Sequence, residues 1–313
     1  FRLDVDGEIN DITISAQYRW YSYMDVIHHG WIGYSPFKNT QVQLGLTQVP
    51  FGLLPYASHN WWFAVPYYIG LEDDYDAGVK VVNNTGPFNI QVAYFKNGDW
   101  GNAGKLERYS YDVVTGGAQQ NEEINQFNGR FAFNLKHGEI GSTEFGASAQ
   151  RGELYNNTTG DKGTHEAYAG HVNGNYGPLN VMLEYAKYKY EPENPAGVSD
   201  ETVLVGALAD SYLIAAEGEL YIVNVAFNLP LGWGPITGLT FYNDYSILKK
   251  EENGWDDSII NTTGVLVSAS PVFVYFDYIQ GDSMIYLNTD DSALTDGDDE
   301  KGRRFNVNIG YYF

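Results

Sequence analysis

A run of carboxylates closes one segment of the chain: Glu72, Asp73 and Asp74 follow one another, and Asp76 comes two residues later. If arginines stood across a narrow passage from this row, the opposed charges would create a transverse electric field that orients dipolar solutes and favours cations. Carboxylate oxygens also suit a divalent cation, although this spacing does not follow a calcium-loop signature. A solvated loop end is an equally good interpretation of the run.

The stretch before these acids, residues 50–74, is unusually apolar for a solvent loop, and we expect it to bury itself inside the protein or against a neighbouring subunit. Its aromatic side chains would pack on the C–H faces of sugar rings, or would anchor the loop, which is the commoner use of large aromatics. The candidate residues of this segment are His59, Trp61, Trp62, Tyr67 and Tyr68.

The sequence gives little support for catalysis or for a metal site built from Cys or His. The chain has no Cys, which excludes thiolate nucleophiles, disulfides and cysteine metal sites. Its six His residues form neither a helical metal motif nor a triad with Ser and Asp. We therefore predict no enzyme activity and no cofactor, with a divalent cation at the acidic loops as the one exception.

The net charge of the chain limits the classes of molecule that it can bind. The 313 residues carry 18 Lys plus Arg against 40 Asp plus Glu, a formal net charge of −22. Nucleic acid is excluded as a partner because its binding depends on basic residues that release counterions. The mean hydropathy of −0.34 suggests a soluble protein, but a transmembrane β-barrel keeps a low average because apolar and polar residues alternate along its strands.

Such alternation is clearest in the last segment, Arg304 to Phe313. Phe305, Val307, Ile309, Tyr311 and Phe313 share one face, while Asn306, Asn308, Gly310 and Tyr312 share the other. Similar segments recur upstream, and their polar faces are rich in Gly, Asn, Gln and Ala, as in a barrel lumen. A final strand that ends on Phe is typical of bacterial outer-membrane barrels.

Short Gly, Asn and Pro turns alternate with longer connections, as at the two rims of such a barrel. The pattern predicts about fifteen strands, at 1–6, 12–21, 26–34, 41–49, 77–82, 88–95, 127–135, 143–152, 166–174, 179–188, 219–229, 236–245, 259–267, 272–279 and 304–313. Bacterial barrels close with an even number, so we expect a further strand before Phe1. The prediction is an all-β, transmembrane antiparallel β-barrel of about 16 strands, one domain over 1–313, with 50–74 as an inward constriction loop.

Strand parity also predicts which charged side chains face the lumen. This set is mixed in sign, and it would line the pore together with the candidates of segment 50–74. Its members are Arg19, Lys80, Arg130, Lys136, Glu144, Glu184, Asp244 and Asp277.

Two motifs carry a family resemblance, HGWIGYSP at His29 to Pro36 and VQLGLTQVPFG at Val42 to Gly52. They resemble the strand, turn and strand that lead into the inward loop of the phosphate-selective porin family and its relatives. The resemblance implies a sixteen-stranded trimeric channel. Phosphate selectivity in that family rests on rows of Lys and Arg, and this chain has only 18 basic residues in total, so that property is not carried over.

The sequence thus predicts a homotrimeric porin of the bacterial outer membrane, a passive diffusion channel for small hydrophilic solutes and ions, with cation preference suggested by the net charge. The alternatives are a porin selective for oligosaccharides or other nutrients, a barrel enzyme and a structural barrel. Outer-membrane lipid and lipopolysaccharide are the expected partners. Divalent cations would bridge lipopolysaccharide to the acids of the last outer loop, Asp290, Asp291, Asp296, Asp298, Asp299 and Glu300.

Overall fold

One large antiparallel sheet dominates the fold. The computed structural model describes residues 1–99, 102–287, 294–297 and 301–312, and fifteen strands pair in chain order, each with its neighbours. They are β1 (Arg2–Ile9), β2 (Ile12–Trp20), β3 (Asp25–Phe37), β4 (Thr40–Gln48), β5 (Tyr75–Thr85), β6 (Phe88–Asn97), β8 (Asn121–Lys136), β9 (Gly141–Asn156), β10 (Lys162–Tyr176), β11 (Leu179–Glu191), β14 (Glu217–Trp233), β15 (Ile236–Lys250), β16 (Ser258–Ala269), β17 (Val272–Asp282) and β18 (Lys301–Tyr311). Each predicted strand corresponds to one of these fifteen. Phe313, the predicted terminal residue, lies outside the described residues.

The two faces of this sheet invert the pattern of a soluble protein. On β14, Val223 and Phe227 are 55% and 45% exposed, whereas the intervening Asn224 is fully buried. The alternation in the sequence therefore places large apolar side chains outward, while the inward face of this strand mixes Asn224 with the buried Ile222 and Ala226. An outward apolar surface is the arrangement that a lipid environment stabilises.

The sheet curls until its edge strands β1 and β18 face each other. The guanidinium carbon of Arg2 lies 5.0 Å from the ring centre of Tyr312, and residues of both edges line a cavity of about 470 Å³. The described residues of β1 and β18 do not pair with each other. Because fifteen antiparallel strands alternate in direction, these edges run the same way, and the sixteenth strand stays a prediction.

A second sheet of three strands corrects the sequence prediction, which placed these segments in outer loops without strands of their own. β7 (Asp112–Val113), β12 (Thr202–Ala207) and β13 (Asp210–Ala215) pair in the order β13, β12, β7. We call them the inner sheet. The turn between β12 and β13 uses Leu208 and Ala209 at φ of 54° and 63°, so the Asn and Gly that usually mark such turns are missing.

The hydrophobic core lies inside the curled sheet. Buried side chains of the inner sheet, such as Val203 and Ile214, pack with residues 65–71 and with inward residues of the wall such as Leu220 and Ile260. Among the described residues, no helix is long and apolar enough to cross a membrane; a short 3-10 helix spans Val65–Ile69.

Candidate functional site

Segment 50–74 leaves the wall after β4, crosses the interior and returns to β5. Its neck is closed by the amide of Val49, which donates to the carbonyl of Asp74 over 2.8 Å. Backbone amides along the segment donate to inward side chains of the opposite wall, from Gly52 to Ser148 Oγ (2.9 Å), Leu53 to Glu184 Oε2 (2.6 Å) and Val65 to Ser246 Oγ (3.0 Å). We call this segment the inward loop.

Asp244, on β15, is the centre of the strongest of these attachments. Its Oδ2 accepts from the amides of His59 (2.7 Å) and Asn60 (3.1 Å) and from Asn60 Nδ2 (2.8 Å), while its Oδ1 lies 2.6 Å from His59 Nδ1. Burial opposes the charged imidazolium, but the hydrogen bond and charge of Asp244 outweigh it and raise the pKa of His59. One carboxylate thus fixes two consecutive loop residues.

Arg130 supports the beginning of the loop from β8. Its Nε donates to the carbonyl of Gly52 over 2.9 Å, and its Nη2 donates to Glu144 Oε1 over 2.7 Å. His171 Nε2 lies 3.1 Å from the same Glu144 oxygen. Three predicted lumen residues, Arg130, Glu144 and Glu184, are therefore brought together at the loop base, where they act as attachments.

The carboxylates of the loop end point into the protein. Glu72 Oε1 accepts from the amide of Ala57 (2.9 Å) and from Ser58 Oγ (3.1 Å), so it joins the two ends of the loop. Asp73 Oδ2 accepts from the hydroxyl of Tyr109 over 2.5 Å. Burial raises the pKa of Glu72 to about 8 and that of Asp73 to about 7. Both carboxylates are more than nine-tenths buried, and neither lines the chamber described below.

The other predicted charged residues are scattered. Lys80 is buried, and its Nζ donates to the carbonyl of Gln48 over 2.7 Å. Asp277 is buried and accepts from the hydroxyl of Tyr242 over 2.5 Å. Lys136 is exposed at the end of β8. Asp74 is buried beside Asp76 of β5 and Asp112 of the inner sheet.

On its other side the inward loop borders a cavity of about 520 Å³, which we call the aromatic chamber. The predicted residues His59, Trp61, Trp62, Tyr67 and Tyr68 all line it, and so does Arg19. Most of the remaining lining is aromatic. The loop itself adds Tyr56, Ser58, Asn60 and Phe63, and distant segments add Tyr21, Tyr23, Tyr109, Tyr111, Tyr275, Tyr286 and Tyr312, with Arg2 and Leu208.

The charge in this lining is positive. Arg19 lies with its guanidinium carbon 4.4 Å from the ring centre of Tyr109, and Arg304 approaches the ring of Trp62 to 4.7 Å. Arg2 is paired with Asp4 over 2.9 Å. No described residue that lines the chamber is an Asp or a Glu, so the charged side chains that line it directly, Arg2 and Arg19, are basic.

Sequence reasoning missed most of the tyrosines of the chamber. Tyr275 and Tyr312 have inward strand parity, so their direction was available from the alternation. Tyr109, Tyr111 and Tyr286 come from loops, where no periodicity indicates a direction. The chemistry of the assembled lining is nevertheless simple: aromatic faces and hydroxyls suit ring-shaped, hydroxylated solutes.

Comparison with known proteins identifies the fold. No family model and no curated protein matches the sequence. Solved structures similar over the whole chain include the outer membrane channel DcaP of Acinetobacter baumannii, with a TM-score of 0.60, 11% identity and 84% of that chain covered. OmpT of Vibrio cholerae gives a TM-score of 0.60, 15% identity and 89% coverage. The anion-selective porin from Comamonas acidovorans gives 0.59, 12% and 89%.

These similarities cover 100% of this chain, whereas the identities are too low to assign the chain to a family. The chain therefore has the porin-like, all-β fold of outer-membrane channels.

Proposed function

We propose that this protein is a porin-type diffusion channel of the bacterial outer membrane, and that small hydrophilic solutes pass through the aromatic chamber. The observation that carries the proposal is the chamber itself, a cavity of about 520 Å³ inside the curled sheet. The outward apolar surface and the porin-like fold support it. A channel function requires no catalytic group, and we propose none.

The direct test is single-channel recording in planar bilayers. The proposal predicts stable open conductance from the purified protein. Protein that inserts but never conducts would refute it.

For selectivity, we propose that the chamber favours neutral and anionic solutes, in place of the cation preference predicted from the net charge. Arg19 lines the chamber and Arg304 lies against the ring of Trp62, which also lines it, while Glu72 and Asp73 are buried and do not line it. One structure with a similar fold is described as an anion-selective porin. The reversal potential in a salt gradient measures this preference, and a potential that favours cations would contradict it.

A second candidate is selectivity for sugars. Among the described residues, ten tyrosines and two tryptophans line the chamber, and Trp61 is 44% exposed, which leaves its ring available for stacking. Current block by oligosaccharides of increasing length distinguishes a sugar-selective channel from a general pore, because a general pore shows no saturable block.

We also propose that the protein is a homotrimer in contact with lipid and lipopolysaccharide. One OmpT structure of similar fold is described as a trimer form. Of the acids predicted to face lipopolysaccharide, Asp296 is described, while Asp290, Asp291, Asp298, Asp299 and Glu300 lie outside the described residues. Cross-linking in native membranes tests the oligomer.

A further inference from the structure

An acidic cluster at the end of the inward loop contains more charge than its neighbours compensate. Asp74 belongs to the loop, Asp76 to β5 and Asp112 to the inner sheet, and one ligand oxygen from each lies within 4.8 Å of the others. Asp99 and Glu123 stand close enough to interact with Asp112. Arg108 pairs with Asp112 over 2.6 Å and with Asp99 over 3.6 Å.

The oxygens of this cluster are incompletely bonded. Asp74 Oδ1, Asp76 Oδ1 and Asp112 Oδ1 are buried and accept no hydrogen bond from any described residue. These three residues are 7%, 2% and 1% exposed. A buried carboxylate oxygen without a donor is costly because it has left bulk water and gained no replacement. Asp99 Oδ1 has the Arg108 guanidinium 3.6 Å away, whereas the Oδ1 atoms of the other three still require a proton, a water molecule or a cation as partner.

The hydrogen bonds of two of these carboxylates leave one oxygen of each available. Asp112 Oδ2 accepts from Arg108 Nη1, and Asp76 Oδ2 accepts from Gln126 Nε2 over 3.1 Å. The unbonded Oδ1 atoms of Asp76 and Asp112 thus belong to carboxylates whose other oxygen is already held in place. A positioned side chain with a vacant oxygen is what a metal ligand requires.

The donor set selects the ion. Hard oxygen ligands exclude soft metals, and the chain has no Cys to bind them. Calcium binds carboxylates at about 2.3–2.6 Å, so two of its ligand oxygens are at most roughly 5 Å apart, and the oxygens of this group, which all lie within 4.8 Å of one another, satisfy that condition. Magnesium is smaller and usually retains several waters, so it rarely takes three buried protein carboxylates.

We propose that Asp74, Asp76 and Asp112 bind a calcium ion that fastens the inward loop and the inner sheet to β5. Asp74 and Asp76 lie two residues apart where the inward loop joins β5, and Asp112 comes from the inner sheet, so the ion cross-links that junction to the inner sheet. The site holds the loop end opposite to the attachment at Asp244. The inference does not depend on which solute the channel carries.

Calcium titration of the purified, detergent-folded protein by calorimetry tests the site, with magnesium as the competing ion. We expect one saturable calcium site per chain with a dissociation constant of about 10⁻⁴–10⁻³ M, the range of extracellular calcium modules. Asp112→Asn and Asp76→Asn should each weaken binding about tenfold or more because they remove ligand charge. Glu107→Gln is the matched control: this carboxylate is exposed in the same loop, and its loss should leave binding unchanged.

Thermal unfolding keeps the test decisive if a variant fails to fold. The wild-type protein should melt at a higher temperature in calcium than in chelator, by an amount that grows with calcium concentration. The absence of saturable calcium binding, equal melting temperatures in both buffers, or binding that survives both ligand variants would each overturn the proposal. Equal melting would mean that protons neutralise the cluster.

Discussion

The two sides of the inward loop differ in the role of their polar and charged side chains. On one side, which we call the packed half, the loop is attached to β8, β9, β11 and β15 through buried charges and hydroxyls, among them Arg130, Glu184 and Asp244. On the other side the loop presents aromatic rings to the chamber, with arginines of β1, β2 and β18 nearby. On the packed half, inward charged side chains hold the loop in position. On the chamber side, aromatic rings remain available for solutes to stack on.

The largest expected effect comes from breaking the packed half at Asp244. Asp244→Ala leaves the buried donors of His59 and Asn60 without an acceptor, so we expect a loss of about 3–5 kcal/mol in the free energy of unfolding. The released loop should also make the open current noisier. Denaturant unfolding in detergent measures the first effect and single-channel recording the second.

Asp161→Ala, at an exposed turn, is the control for that experiment and should change neither quantity. A variant at Asp244 that is as stable and as quiet as the wild type would show that the loop is held by something other than these hydrogen bonds.

A pH titration examines the same half through Glu72. The pKa of Glu72 rises from 4.5 to about 8 on burial, so between these values the folded state binds more protons than the unfolded state. Stability should therefore be fully present below about pH 4.5 and fall as pH rises towards 8, and Asp73, with a pKa of about 7, adds to the same trend. Unfolding midpoints at pH 5, 6.5 and 8 in chelator measure this slope.

Glu72→Gln should flatten that slope, whereas Glu139→Gln, in an exposed turn, should not. Stability that increases with pH in the wild-type protein would show that Glu72 and Asp73 are not buried as described for the packed half.

On the chamber side, Arg19→Gln should change selectivity with little effect on folding. Its guanidinium stands over Tyr109 beside the chamber, and removal of its charge should lower the anion to cation permeability ratio by about twofold or more. The reversal potential in a salt gradient is the measurement. Arg151→Gln serves as control because its side chain is 70% exposed on the wall; a ratio unchanged by Arg19→Gln would exclude passage near this residue.

The smallest effect on stability is expected for Trp61→Ala. The ring of Trp61 is 5.8 Å from that of Tyr275 and is largely free, so its loss should change stability by less than about 0.5 kcal/mol. Sugar block should weaken by about 0.5–1.5 kcal/mol, roughly two- to tenfold. Concentration series of an oligosaccharide measure the block, and undiminished block in the variant would remove Trp61 from the sugar site.

Much of the wall was predictable because alternation is a local property. Val223, Val225 and Phe227 indicate their face by spacing alone, and the structure buries Arg130, Glu184 and Asp244, which the same reasoning directed inward. Parity does not indicate whether an inward side chain meets water or another segment, since that depends on the path of residues 50–74. For this reason the sequence could not distinguish a pore-lining Glu184 from one that accepts a loop amide.

The inner sheet is a second feature that could not be predicted from the sequence. Val203 and Val205 alternate as a strand should, but the turn at Leu208 and Ala209 lacks the residues that normally allow positive φ. Packing inside the curled sheet holds this turn, and that packing is not visible in the local sequence. The acids at 74, 76 and 112 likewise meet only because β7 is placed beside the end of the inward loop.

Thiol accessibility in the conducting channel tests the contrast between the two sides most directly, because the chain has no Cys of its own. Trp61→Cys places a thiol in the chamber, and Ala57→Cys places one on the same loop at a position that is 2% exposed. A charged methanethiosulfonate reagent should reduce the single-channel current of Trp61→Cys and leave that of Ala57→Cys unchanged. Modification of Ala57→Cys with no response at Trp61→Cys would contradict the account and place the passage on the other side of the loop.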